Sequence, residues 1–319
     1  MRCICQYSEC VPPRTKPEIA KRQASKSGLC PVSGLPAWDV CILSVMFSGL
    51  EFTNYSGQLV GAHQKIDRVS RRHLAELLEP STNFPRIRDI LHFEGKNGPD
   101  GIKIKSPAKN EPWHYFDPLS EDSADFMQLL TMHYEGLVRE LKSMNYERSA
   151  FEAAWLAHAI VDGLTPAHHY PFAEKISELR GGAPNSSRTS YRKKLIFKGK
   201  TKRETVKNMV KAYGPRGLYM AHWLYEFGFS AIVKPLRFPD ARLTSEDMAE
   251  VKKLGYEKYF LKNARDIARL GMFERYLQHG WQSKLARETR EVLAPSMIRT
   301  VTVIWYLAVD EAETARGEA

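Results

Sequence analysis

Beyond residue 41 the chain has no cysteine: all five (Cys3, Cys5, Cys10, Cys30 and Cys41) lie within the first 41 of its 319 residues. The long remainder therefore folds without disulfides and offers no thiolate to a metal. The C-x-C-x4-C spacing of the first three cysteines matches no familiar zinc finger. Long apolar runs are also missing, and none approaches the ~20 residues that cross a bilayer. The run "VCILSVMF" at 40–47 has the composition of a signal-peptide core. Its preceding region is too long for that role, and no clean A-x-A site follows. Strand signals are few and there is no internal repeat. No histidine is followed directly by aspartate, which excludes the phosphohydrolase class that needs a His-Asp dipeptide.

What is present is the balance of a soluble globular protein, 43% hydrophobic and 26% charged. The net charge is +10, which favours anionic partners such as phospholipid surfaces, nucleic acid or phosphorylated substrates. Residues 1–54 read as a poorly ordered, cysteine-containing leader. Met46 offers a second start that would remove the cysteines, and location in the cytoplasm or outside the cell is left open. From residue 55 the apolar spacing becomes helical. Helices are expected over 58–78, 123–144, 148–163, 202–212, 215–233, 245–270, 281–293 and 295–314. Thr244 with Asp247 has the pattern of a capping box. The third helix is expected to end at Gly163 and Pro166. The fold class that follows is all-α, a single multi-helix domain over 55–319.

Three of the ten histidines have a carboxylate four residues later, where about one is expected by chance. They are His63 with Asp67, His158 with Asp162, and His222 with Glu226. In a helix that spacing puts both side chains on one face. An exposed polar pair needs nothing more. However, His158 lies in "AAWLAHAIVDGL" and His222 in "GLYMAHWLYEFGF". Both are apolar surroundings, where an unpaired carboxylate is expensive. A shared divalent cation would satisfy both pairs, and imidazole with carboxylate suits zinc.

The segment "HAIVDGLTPAH" holds His158, Asp162 and His168 at the spacing H-x3-D-x5-H. With "WHYFDP" at 113–118 and the H-x3-E of His222 and Glu226, it resembles the zinc-dependent phospholipase C family and the related single-strand-specific zinc nucleases. The resemblance runs from about residue 57 to 312, closing on "IRTVTVIWYLAVDEA". It implies an all-α fold holding two or three clustered zinc ions. One ion would be held by Asp100, His114, His158 and Asp162, and a second by His168, His222 and Glu226. A third would be held by His63, with Asp162 bridging. It further implies hydrolysis of a phosphodiester by zinc-activated water, with Asp100 as general base as well as ligand and Asp162 tying two ions together. The substrate would be a phospholipid, or a nucleic acid or nucleotide as the alternative. A binding protein that keeps zinc only for structure is the non-enzymatic alternative.

Three departures from the family stand out. The family's third zinc also uses a free N-terminal residue, which here would fall near Leu50 without a cleavage site to create it. A basic insertion lies near 173–212, and its stretch 188–211 carries ten basic residues and one acidic. It reads either as a solvated, flexible insertion or as a patch that contacts anionic membrane or nucleic-acid backbone. Asp67 has no family role and is expected to be exposed. Of the other histidines, His73 and His279 read as surface residues. His92 and His133 are candidates to support the site, and His169 to orient a ligand. Trp113, Tyr115, Trp223 and Tyr225 suit core packing and base stacking equally.

Overall fold

The structure, a computed structural model, describes residues 61–94, 97–100, 115–120, 124–183 and 195–317. The leader 1–54, its cysteines, Trp113, His114 and the part 188–194 of the basic stretch lie outside the described residues.

The central element is the helix that carries the H-x3-D motif. Helices α1 (Ala62–Ala75), α2 (Ile87–His92) and α3 (Ala124–Lys142) precede it, and it is α4 (Tyr146–Leu164). Fourteen of its nineteen residues are buried, as expected for a helix that is apolar all round. Asn145 caps its start, accepting the Arg148 N–H at 3.3 Å. Alanines line much of it and let neighbouring helices come close. A short 3-10 turn, Pro166–His168, follows.

The remaining helices are α5 (Phe172–Leu179), α6 (Lys202–Tyr213), α7 (Leu218–Val233), α8 (Ser245–Leu254), α9 (Tyr256–Ala268), α10 (Met272–His279), α11 (Ser283–Glu288) and α12 (Ala294–Gly317). No strand occurs among the described residues, and the protein is all-α. The main core is built around α4 and α12. The Trp305 indole donates to the Ala153 carbonyl at 3.1 Å and locks the two together. The Ser70 hydroxyl donates to the Ile298 carbonyl at 3.2 Å and ties α1 to α12. The stretch Ser283–Gly317 is long and apolar enough, by composition, to cross a membrane. Yet 78% of its most apolar window is buried inside the fold, so its hydrophobicity is used in core packing.

Helix boundaries depart from expectation where backbone chemistry intervenes. The single helix expected over 245–270 is two, because Gly255 adopts φ +79°, a left-handed conformation that glycine takes without penalty. The capping box at Thr244 and Asp247 forms as expected. The break expected near Pro295 is absent. A π-helical turn, Thr289–Leu293, carries the chain from α11 into α12. Its wider turn makes room for the Pro295 ring against the preceding carbonyls, one of which loses the N–H donor that proline cannot supply. The short helices α2, α5 and α10 were not expected, since each is too brief to show a clear period.

The insertion is not simply a solvated loop. Its described parts form α5 and α6, which close a small second core of Phe172, Ile176, Phe197 and Ala212. Tyr115 and Tyr219 pack on this cluster.

Gly163 does not end α4, which runs on to Leu164 with Thr165 as its cap. Its role is close approach: a Cβ there would lie 2.6 Å from Phe260 and 2.7 Å from Phe126. Gly163→Ala is therefore predicted to destabilise the protein by about 1–3 kcal/mol through overpacking. Urea unfolding checks this, and an unchanged midpoint would refute it.

Candidate metal centre

The motif residues converge because helix and turn geometry cooperate. His158 and Asp162 stand one turn apart on α4. The Thr165 hydroxyl then donates to the Val161 carbonyl at 2.7 Å. The His168 N–H donates to the Thr165 carbonyl at 2.9 Å. This tight turn brings His168 back toward the face it has just left. His168 Nδ1 lies 3.3 Å from Asp162 Oδ1, and His158 Nε2 lies 3.4 Å from Asp162 Oδ2. From the first turn of α1, His63 Nε2 reaches Asp162 Oδ1 at 3.4 Å. One carboxylate thus faces three imidazoles. The rings of His63 and His158 stack with centroids 4.1 Å apart.

A second group sits beside the first. Glu226 Oε1 lies 2.9 Å from His222 Nε2 and 3.0 Å from His168 Nε2. The rings of His168 and His222 are nearly parallel, 5.0 Å apart. Ligand atoms of His168, His222 and Glu226 all fall within 4.8 Å of one another. Tyr115 and Phe172 stack at 4.9 Å and wall this group in, with Phe172 5.2 Å from the His222 ring.

Of the residues expected for the first ion, the structure brings Asp100, His158 and Asp162 together, with Asp100 Oδ1 3.6 Å from His158 Nε2. His114 lies outside the described residues. Sequence reasoning missed Glu94. Its carboxylate oxygens lie 3.2 and 3.4 Å from His158 Nδ1, and it also falls within 4.8 Å of ligand atoms of His63 and His158. By accepting the Nδ1 proton it leaves Nε2 to face Asp100 and Asp162, the usual arrangement behind a metal-bound imidazole. Nothing in "HFEG" signals this, because Glu94 has no periodic partner and only the fold brings it to α4.

Asp67 corrects an expectation. It is fully buried, and neither carboxylate oxygen makes a hydrogen bond. Burial raises its pKa well above the usual carboxylate range, and nearby Glu94 raises it further. Burial alone would lower His158, but Asp162, Glu94 and Asp100 outweigh it and hold the imidazole well above its ordinary value. Burial would raise Glu226, but His222 and His168 hold it well below.

These observations test the fit of a cation. Asp67, Glu94, Asp100 and Asp162 are all buried around His63 and His158. So much buried acid needs positive charge, and a mixed imidazole and carboxylate donor set suits a divalent ion.

The other histidines sort clearly. His73 is buried rather than on the surface, with Nδ1 donating to the Ala241 carbonyl at 3.2 Å, and burial lowers its pKa. His92 is exposed against Phe93. His133 pairs with Glu152 at 2.6 Å rather than with a candidate ligand, and Arg148 holds Glu152 at 2.8 Å. His279 is exposed, as expected. His169 donates from Nε2 to the Gly163 carbonyl at 2.9 Å, and burial pushes its imidazole down to about 4. It stays neutral and braces the turn that carries His168. Tyr225 belongs to the core against Phe273, Tyr276 and Trp281, which removes it as a base-stacking platform.

Compared with protein-family models, with curated proteins and with solved structures, the chain finds no match.

Two predictions follow from the buried charge. Were the site to take up a divalent cation, Glu94→Gln is expected to weaken its binding by about 10- to 100-fold, as loss of a ligand's orienting partner commonly does; titration with zinc and a chromophoric chelator reads this, and unchanged affinity would refute it. For Asp67 the folded pKa is raised, so its contribution to stability is present at low pH and lost as pH rises above the unfolded carboxylate value. Metal-free wild type should therefore lose more stability than metal-free Asp67→Asn between pH 5 and pH 8. Parallel slopes of unfolding midpoint against pH would contradict this.

Proposed function

We propose that the chain is a zinc-dependent phosphodiester hydrolase, cleaving phospholipids as the phospholipase C family it resembles does. The observation that carries this reading is the Asp162 carboxylate, which faces His63, His158 and His168 at 3.3–3.4 Å while His168 also reaches Glu226. A carboxylate shared between neighbouring imidazole groups is what a clustered-ion site requires.

In this reading His63, Asp100, His158 and Asp162 hold zinc on one side, and His168, His222 and Glu226 on the other. When bound, zinc supplies Lewis acidity toward phosphate oxygens and toward water. The protein's own groups do the rest. Asp162 fixes the separation of the two ligand sets. Asp100, buried beside His158, accepts a proton from the attacking water. Glu94 holds His158 in the tautomer that presents Nε2. Tyr115 and Phe172 keep solvent from the side of His168 and His222, where lower polarity strengthens every electrostatic contact.

A second reading, a single-strand nuclease, is favoured by one observation. On α7 the half-buried Trp223 stacks on exposed Phe227 with ring centroids 5.8 Å apart, beside Glu226. Exposed stacked aromatics suit nucleobases.

Elemental analysis of the purified protein is expected to find about two or three zinc ions per chain. Parallel assays should show release of diacylglycerol from phosphatidylcholine, lost on chelation, with little cleavage of single-stranded DNA. Cleavage of DNA alone would favour the nuclease. A zinc-loaded protein that cleaves neither would assign the metal a structural role and overturn the hydrolase. Asp162→Asn is predicted to lose both metal and activity, and a fully metallated, fully active variant would sink the proposal.

A further inference from the structure

Helix α6 presents a face that the fold leaves uncovered. Its inner side packs Met209, Ala212 and Tyr213 onto the second core. Its outer side carries Val206, 63% exposed, and Val210, 59% exposed, one turn apart. Lys202, Arg203, Lys207 and Lys211 flank them, all exposed. Just before the helix, Ile196 is 48% exposed, followed by the buried Phe197 and the exposed Lys198. Lys200 is exposed as well. None of these six cations makes an ion pair among the described residues. The one acid of the helix, Glu204, is engaged elsewhere, accepting the Lys200 N–H at 2.7 Å.

We propose that this face docks the protein on the surface of an anionic phospholipid bilayer. Charge complementarity favours such a surface, on which each cation contributes roughly fivefold to partitioning. The aliphatic centre selects the bilayer over other polyanions. Val206, Val210 and Ile196 enter the boundary between headgroups and acyl chains, while the lysine stems reach outward to the phosphates. Nucleic-acid backbone would engage the lysines and leave the valines idle. An isolated exposed apolar residue would mean little, but here three lie among six unpaired cations.

The platform is joined to the candidate metal centre through aromatic rings. Tyr213 stacks on Tyr219 at 5.2 Å, Tyr219 meets Phe172 at 5.2 Å, and Phe172 meets the His222 ring at 5.2 Å. Docking therefore holds His168, His222 and Glu226 at a fixed relation to the lipid surface. The value of this for catalysis rests on the phospholipase reading, whereas the docking itself does not.

The test is co-sedimentation of the full chain with vesicles, in the presence of chelator so that hydrolysis plays no part. Wild type is expected to bind mixed phosphatidylcholine–phosphatidylserine vesicles, to bind pure phosphatidylcholine at least about tenfold less, and to be released by salt. Lys207→Glu with Lys211→Glu should cut binding by about tenfold or more. Val206→Ser with Val210→Ser should cut it several-fold while leaving the salt dependence in place. All four positions are exposed, and circular dichroism confirms that the variants keep their helix. Absence of wild-type binding to the anionic vesicles would overturn the proposal. So would valine variants that bind like wild type, or retention on single-stranded DNA that the lysines alone control. Hydrolysis of a short-chain, water-soluble phosphodiester by the zinc-loaded variants should equal that of wild type. If it is absent from every protein while vesicle binding persists, the hydrolase reading fails and the docking stands.

Discussion

The fold is organised around an electrostatic problem. Five carboxylates (Asp67, Glu94, Asp100, Asp162 and Glu226) converge with four imidazoles between α1, the segment after α2, α4 and α7. Water is largely excluded there, and Arg68 offsets the charge only in part, at Asp67. Such a cluster is costly unless every member has a partner of opposite sign. The raised His158 and the lowered Glu226 are local responses to that demand. Asp67, raised and without a hydrogen bond, is the member whose demand the side chains alone leave unmet.

The surrounding architecture holds this cluster still. Helix α4 supplies two of its members from one face. The turn at Pro166–His168 supplies a third by reversing direction, braced by the neutral His169 and the Gly163 carbonyl. Helices α1 and α12 are clamped together behind it by Ser70 and Ile298. Tyr115 and Phe172, packed on the insertion's small core, form a wall against the imidazoles of His168 and His222. What reads in sequence as a run of lysines is, in its described part, a helix whose inner face completes the surroundings of the site.

Much of this was legible before any coordinates. The i,i+4 pairs in apolar helices located His158, Asp162, His222 and Glu226, because a 3.6-residue period fixes which side chains share a face, and the family resemblance pointed to His63. The H-x3-D-x5-H spacing located His168. The long helices were legible for the same reason. Glu94 and Asp67 were not, because their importance comes from proximity across the fold, and proximity has no period. His73 was misread for a related cause. It lies on a charged helix, and only the distant Ala241 carbonyl makes its burial affordable. The split at Gly255 and the continuity across Pro295 depended on single backbone conformations, which composition does not encode. The likeness to zinc phospholipases and nucleases rests on motif resemblance alone and is offered as a proposal.

The hydrogen bond from Ser70 to the Ile298 carbonyl joins residues 228 positions apart. Trp305 and Ala153 are separated by 152. Helix α12 is thus synthesised well after both α1 and α4, and both depend on it. Until it emerges, the earlier helices can form individually but have no floor on which to assemble. The nascent chain must carry exposed core surface until those residues have been made, and closure of such distant contacts is slow. The acid cluster, whose members all precede α12 in the chain, therefore gains its supporting floor only when that helix joins it.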